Sequence, residues 1–213
     1  MKNTGHLKRL LIGFFVIWLA CIEATFAAEN STEKLTKLLI DMQSFKAKFK
    51  QITLDGSGNS IQEMAGELAV QRPGMLYWKT NPPFEQLVIS DGHQLWFYDP
   101  DLEQVTVQKL DPRITQTPAL LLSGEVSTLQ ASYQISGEQI NNLWVFVLIP
   151  KEPESLFEQL KLTFSDGELA QMHIKDSLGQ RSSFEFFETQ TDVEIAPELF
   201  HFTPPEGVDV ITQ

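Results

Sequence analysis

Beyond the first 27 residues, acid–base or metal chemistry would have to be built from His93, His173 and His201, or from Asp99, Asp101 and Glu103. The three histidines lie far apart and show no metal-ligand spacing. His173 falls on the polar side of an alternating stretch and His93 beside a turn, so both read as solvated. The three carboxylates share a turn with Pro100 and read as solvated charges rather than calcium ligands. No G-x-S-x-G elbow and no H-E-x-x-H pair occurs. Residues Asp55 to Ser60 have the glycines of a phosphate loop but not its lysine or its following helix. The expectation is no enzyme, no cofactor and no metal.

The amino terminus reads as a targeting segment. Lys2, Lys8 and Arg9 precede an apolar run from Leu10 to Ala20, too short to span a bilayer. Thr25-Phe26-Ala27 then offers small residues at the positions a signal peptidase requires, so residues 1–27 are expected to be a signal peptide and 28–213 one domain. Cleavage there takes three of the 16 basic and one of the 28 acidic side chains, leaving 13 against 27, a net charge of −14 over 186 residues. That balance excludes a nucleic-acid partner, because phosphate binding needs a basic stripe. The single cysteine, Cys21, lies inside the leader, so the mature chain has no disulfide, thiol nucleophile or thiolate site. Cys21 as a lipid-attachment cysteine is disfavoured by bulky Trp18 and Leu19 just before it. A soluble exported monomer is the expectation.

The elements that must position any site are mostly strands. Leu35, Leu38, Leu39 and Met42 follow helical spacing, with Asn30 or Ser31 as cap. At Ser44 the period changes: Phe45, Ala47 and Phe49 alternate with Lys46, Lys48 and Lys50, the mark of a half-buried strand. Met64, Leu68 and Val70 alternate in the next stretch. Residues 72–110 form a meander of four short strands punctuated by Arg72-Pro73-Gly74, Asn81-Pro82-Pro83, Ser90-Asp91-Gly92 and Asp99-Pro100-Asp101. Residues 114–124 read as a short apolar helix, with Thr117 capping, Pro118 in the first turn and Gly124 at its end. Further strands follow at 142–149, 160–164, 170–174 and 182–188. About eleven strands and two or three short helices make a mainly β fold. One curled antiparallel sheet with helices over its concave side is the economical arrangement. Large apolar residues on its strands, such as Trp78 and Trp96, suit either ordinary core or the wall of a ligand cavity.

Several separated motifs are collinear with one family. Arg72-Pro73-Gly74 with Trp78, then Ser90-Asp91-Gly92 followed by Trp96, Tyr98 and Gln104, then Thr117-Pro118 with Leu121-Leu122, resemble the LolA family of periplasmic lipoprotein carriers. Gln180 to Ser183 and Phe202 to Gly207 extend the likeness over essentially the whole mature chain. The resemblance implies an incomplete, unclosed antiparallel β-barrel of eleven strands covered by an α-helical lid. It also implies a function: accepting acylated lipoproteins from the inner-membrane ABC transporter LolCDE and handing them to the outer-membrane receptor LolB. A membrane-anchored receptor of the LolB type and a general periplasmic lipid-binding protein are the alternatives.

Carried onto this sequence, the resemblance makes Arg72 the latch that holds the lid closed. Leu35, Leu38, Leu39, Met42, Leu120, Leu121 and Leu122 are the expected lid residues. Phe45, Phe49, Trp78, Leu87, Ile89 and Trp96 are the expected acyl-chain cavity. Pro73, Gly74 and Leu76, the last where some relatives have a bulkier aromatic, are the expected transporter contact.

Overall fold

A computed structural model describes residues 31–110, 118–124, 126, 129–152 and 155–213; the expected signal peptide and Thr117 lie outside these. The described chain is dominated by one twelve-stranded sheet: β1 (Ser44–Leu54), β2 (Ser60–Gln71), β3 (Met75–Thr80), β4 (Gln86–Asp91), β5 (Gln94–Asp99), β6 (Gln104–Lys109), β7 (Tyr133–Ile140), β8 (Leu143–Pro150), β9 (Phe157–Ser165), β10 (Glu168–Asp176), β11 (Arg181–Thr191) and β12 (Asp209–Thr212). Its order is β12-β6-β5-β4-β3-β2-β1-β11-β10-β9-β8-β7, so β12 and β7 are unjoined edges. The barrel is open, as expected. The twelfth strand is the addition: β12 pairs with β6 in parallel, whereas the other neighbours are antiparallel. Four exposed residues carry no apolar alternation that a sequence reading could catch.

Two meanders spread from β1, β2 to β6 on one side and β11 back to β7 on the other. The chain must therefore cross from β6, beside one edge, to β7 at the other. That crossing carries α2 (Pro118–Ser123) and α3 (Leu129–Ser132). Helical residues 31–41 (α1) run directly into β1. Topology alone thus brings short helices to the open side of the sheet.

Register assigns the faces. Trp78 lies opposite Leu68 and Val88, and Val88 opposite Phe97. Phe45, Phe49, Leu76, Trp78, Phe146, Leu162, Phe184 and Phe186 join the lid leucines in one buried cluster on the inner face. Phe49, Trp78 and Phe184 form its aromatic centre, with ring centroids 4.5 Å apart for Phe49–Trp78 and 5.4 Å for Trp78–Phe184. Gly66 makes room for it: a Cβ there would stand 2.7 Å from the Phe49 ring and 2.0 Å from the Lys79 carbonyl oxygen.

The opposite, outer face has its own small cluster of Ala69, Ile195 and Phe200, with Met75, Tyr77, Val193 and Leu199 against it. The segment after β11, including the 3₁₀ turn Pro197–Phe200, supplies the cover. His173 is also on this side. It is half-buried with Nδ1 2.9 Å from Ser183 Oγ, which corrects its reading as a solvated residue. Burial, assisted by Lys161, lowers its pKa from the ordinary histidine value.

Candidate functional site

The inner face carries one continuous apolar cluster, roofed by the three described helices α1, α2 and α3. Leu35 and Leu39 of α1 are fully buried, Met42 nearly so, and Leu38 packs partly against them, as four residues at helical spacing should. Leu120, Leu121 and Leu122 of α2 and Leu129 of α3 are buried in the same cluster. At its first described turn α1 is tied down by the Ser31 hydroxyl, which donates to the Gly137 carbonyl at 3.0 Å. Lys34 lies 5.7 Å above the Trp144 ring.

At the other end of α1 stands Arg72, in the tight turn between β2 and β3. Its Nε donates to the Met42 carbonyl at 3.2 Å, at the end of α1, and its Nη1 donates to the Gly124 carbonyl just beyond α2. The backbone repeats the connection: Arg72 N–H to the Gln43 carbonyl at 3.0 Å, and Gly74 N–H to the Ser123 carbonyl at 2.7 Å. A guanidinium suits this position because its planar fork of donors can reach two helix-end carbonyls at once. Its Nη2 is buried with no hydrogen-bond partner among the described residues. Burial lowers the Arg72 pKa to about 10, which still leaves it charged at neutral pH. The ends of α1 and α2 are therefore joined by a partly desolvated cation acting on carbonyl dipoles, with no described carboxylate in the arrangement.

Comparison with known proteins agrees with this architecture. Residues 41–203 match the family model described as outer membrane lipoprotein carrier protein LolA. The chain is 45% identical over 207 residues to an outer-membrane lipoprotein carrier protein of Pseudomonas paraeruginosa, covering 96% of this chain and 100% of that one. This chain belongs to the LolA family. The protein of the same name from Pseudomonas fluorescens is 47% identical over 187 residues, covering 88% and 90% of the two chains. Among solved structures, an uncharacterized conserved protein from Thermus thermophilus superposes with a TM-score of 0.52 at 9% identity, covering 87% and 99%, a likeness of fold alone.

On this LolA-family scaffold the expected site residues divide. Phe45, Phe49 and Trp78 do gather on the inner face beneath the lid leucines. Leu87, Ile89 and Trp96 do not, and this is a correction. Tyr77 pairs with Ile89, and Ile89 with Trp96, so these residues follow Tyr77 onto the outer face. Their inward neighbours are Val88 and Phe97, which the sequence reading missed. In QLVIS and QLWFY large apolar residues occur on both sides of the strand, so alternation gives no hint of which set faces inward.

Leu76 is a second correction. It is fully buried, on the same face as Trp78, and so unavailable for an intermolecular contact in this state. Gly74 is engaged with Ser123, and Pro73 alone of the three is exposed. Also overlooked were Phe184 and Phe186 of β11 and Leu160, Leu162, Phe164 and Met172 of β9 and β10, although their alternation marks them. No helix among the described residues is long and apolar enough to cross a membrane, and no described group of three His, Cys, Asp or Glu could hold a metal ion.

Proposed function

We propose that this chain is a periplasmic carrier for acylated outer-membrane lipoproteins, exported by a signal peptide at residues 1–27 and acting as a monomer. It accepts cargo from the inner-membrane transporter LolCDE, shelters the acyl chains between the inner face and the lid, and delivers the cargo to LolB. The observation that carries this reading is a roof of short helices laid by their leucines on the apolar cluster of the inner face, with one arginine bonded to two helix-end carbonyls.

The need for such a device follows from hydration. Each acyl CH₂ left in water costs about 0.8 kcal/mol, so a multiply acylated anchor costs on the order of tens of kcal/mol unless covered. The lid leucines bury the same surface when no cargo is present. Loading exchanges one apolar cover for another, so it requires only that acyl chains compete with leucines. The half-buried Arg72 keeps this exchange near balance: it closes the lid, but its desolvation and its unpartnered Nη2 limit how stable closure can be.

Mass spectrometry of the protein purified from periplasm tests the reading, with diacylglyceryl-cysteine peptides or intact lipoproteins expected in the bound material. Free phospholipid as the sole companion would instead indicate a general lipid-binding protein. Arg72→Leu should fold normally yet retain its cargo when mixed with acceptor, because the closed lid no longer competes. Normal delivery by that variant would exclude the latch role.

A further inference from the structure

The inner face changes chemistry along its length. At the end next to Arg72 it is wholly apolar, with Phe45, Leu76 and Phe49. Toward the other end, beside the Asp55 to Asn59 loop, β1 presents Gln51 and Thr53 on the same side of the strand as Phe49. Thr53 lies opposite Gln62 of β2 and Ser182 of β11, while Gln51 lies opposite Met64 and Phe184. The Gln51 side-chain amide donates to Thr53 Oγ1 at 3.1 Å, and Thr53 Oγ1 is 3.0 Å from Ser182 Oγ. Thr53 is 5% exposed, and Gln51, Gln62 and Ser182 are half-buried. On β10 and β9 the same cross-strand row returns to Ile174 and Leu160, so the polar group is confined to three adjacent strands.

Proton counting gives this group a direction. Two hydroxyls hold two protons, and the bond between Thr53 and Ser182 uses one. The other hydroxyl proton and the second amide proton of Gln51 remain available beside Phe184 and Met64. An acylated anchor has the complementary layout: long chains that need apolar cover, joined by ester carbonyls that accept hydrogen bonds and donate none. A carbonyl taken out of water among aromatics is costly unless a donor meets it.

We propose that Gln51, Thr53 and Ser182 form a carbonyl-recognising subsite that takes the ester linkages of a diacylglyceryl anchor. The chains then run from it across Phe184, Trp78 and Phe49 beneath the lid. This rests on the carrier reading and adds a polarity to it: the ester end of the cargo lies at the Asp55 to Asn59 end, away from Arg72.

The test compares two probes on the full mature chain: an S-(2,3-diacyloxypropyl)cysteinyl peptide and its dialkyl-ether counterpart with chains of equal length. Trp78, packed against Phe49 and Phe184, provides the fluorescence readout. Wild type should bind the ester probe more tightly, by roughly threefold to tenfold, the worth of one or two net hydrogen bonds. Thr53→Val with Ser182→Ala should reduce that preference, and adding Gln51→Leu should erase it, since the Gln51 amide is the remaining donor. Ser182→Ala alone, at a half-buried site, should reduce the preference even where the double variant folds poorly. Equal wild-type affinity for the two probes would overturn the subsite and leave the carrier standing. Equal loss of both probes in the variants would reduce these residues to a structural role. Failure of wild type to bind either probe would overturn the carrier reading itself.

Discussion

The two faces of the sheet are covered in different ways. After β11 the chain is stitched down by backbone and side-chain bonds, first across the outer face and then along the β6 edge: Ser44 Oγ to the Val193 carbonyl at 2.6 Å, Asp209 N–H to the Glu103 carbonyl at 2.9 Å and Gln213 N–H to the Val107 carbonyl at 2.9 Å. A strand ladder between β12 and β6 and a 5.5 Å contact of the Tyr98 and Phe202 rings complete it. On the inner face the helices satisfy their own backbones. They lie on the sheet through leucines, tied by Ser31, by Arg72 and by the Ser123 and Gln43 carbonyls. A ladder must break bond by bond, whereas leucine packing is non-directional and can be exchanged for any other apolar surface. The exchange of cover proposed for loading therefore belongs to the inner face, where no ladder has to break.

Four substitutions would break or sharpen this contrast. The largest effect should come from Gly66→Ala, beneath both the lid and the aromatic centre. A methyl group 2.0 Å from the Lys79 carbonyl oxygen cannot be accommodated without moving β3, at a cost of about 3 kcal/mol or more in urea unfolding. Phe200→Ala in the outer cover should remove about 3–5 kcal/mol from global stability, since a fully buried ring leaves a cavity that fixed backbone cannot close. Leu39→Ala, equally buried but in the lid, should cost less globally, about 1–2 kcal/mol, while accelerating amide exchange in α1 with the strands unchanged. Equal global losses for Phe200→Ala and Leu39→Ala would erase the distinction between the two covers.

The smallest effect is a pH dependence on the outer face. Because burial lowers the His173 pKa in the folded chain, the unfolded chain binds the proton more readily. The sign follows: His173 favours folding above the ordinary histidine pKa, relative to acid, and its contribution falls as pH drops through that value. His173→Gln should therefore lose less stability than wild type between pH 7.5 and pH 5, in paired urea titrations.

Much of this protein was legible one element at a time. Helical spacing of Leu35, Leu38, Leu39 and Met42, alternation of Phe45, Ala47 and Phe49, and the Ser-Asp-Gly turns each depend on residues within a few positions of one another. Gly92 and Gly167 do adopt positive φ, at 92° and 91°, as such turns require. Arg72 was singled out by a motif, but nothing near it in sequence names its partners. These are the carbonyls of Met42 and Gly124, 30 and 52 residues away.

The sequence by itself determined that this is a curled sheet of alternating strands with apolar helices to cover it, because periodicity and turn chemistry are local. Only the tertiary structure decided which half of each strand faces the helices. A strand repeats every two residues, and Ile89 and Val88 are equally apolar, so the pattern is unchanged when the faces are exchanged. What breaks that symmetry is the pairing of Trp78 with Val88 rather than Ile89, together with the direction from which α1 and α2 descend on the sheet.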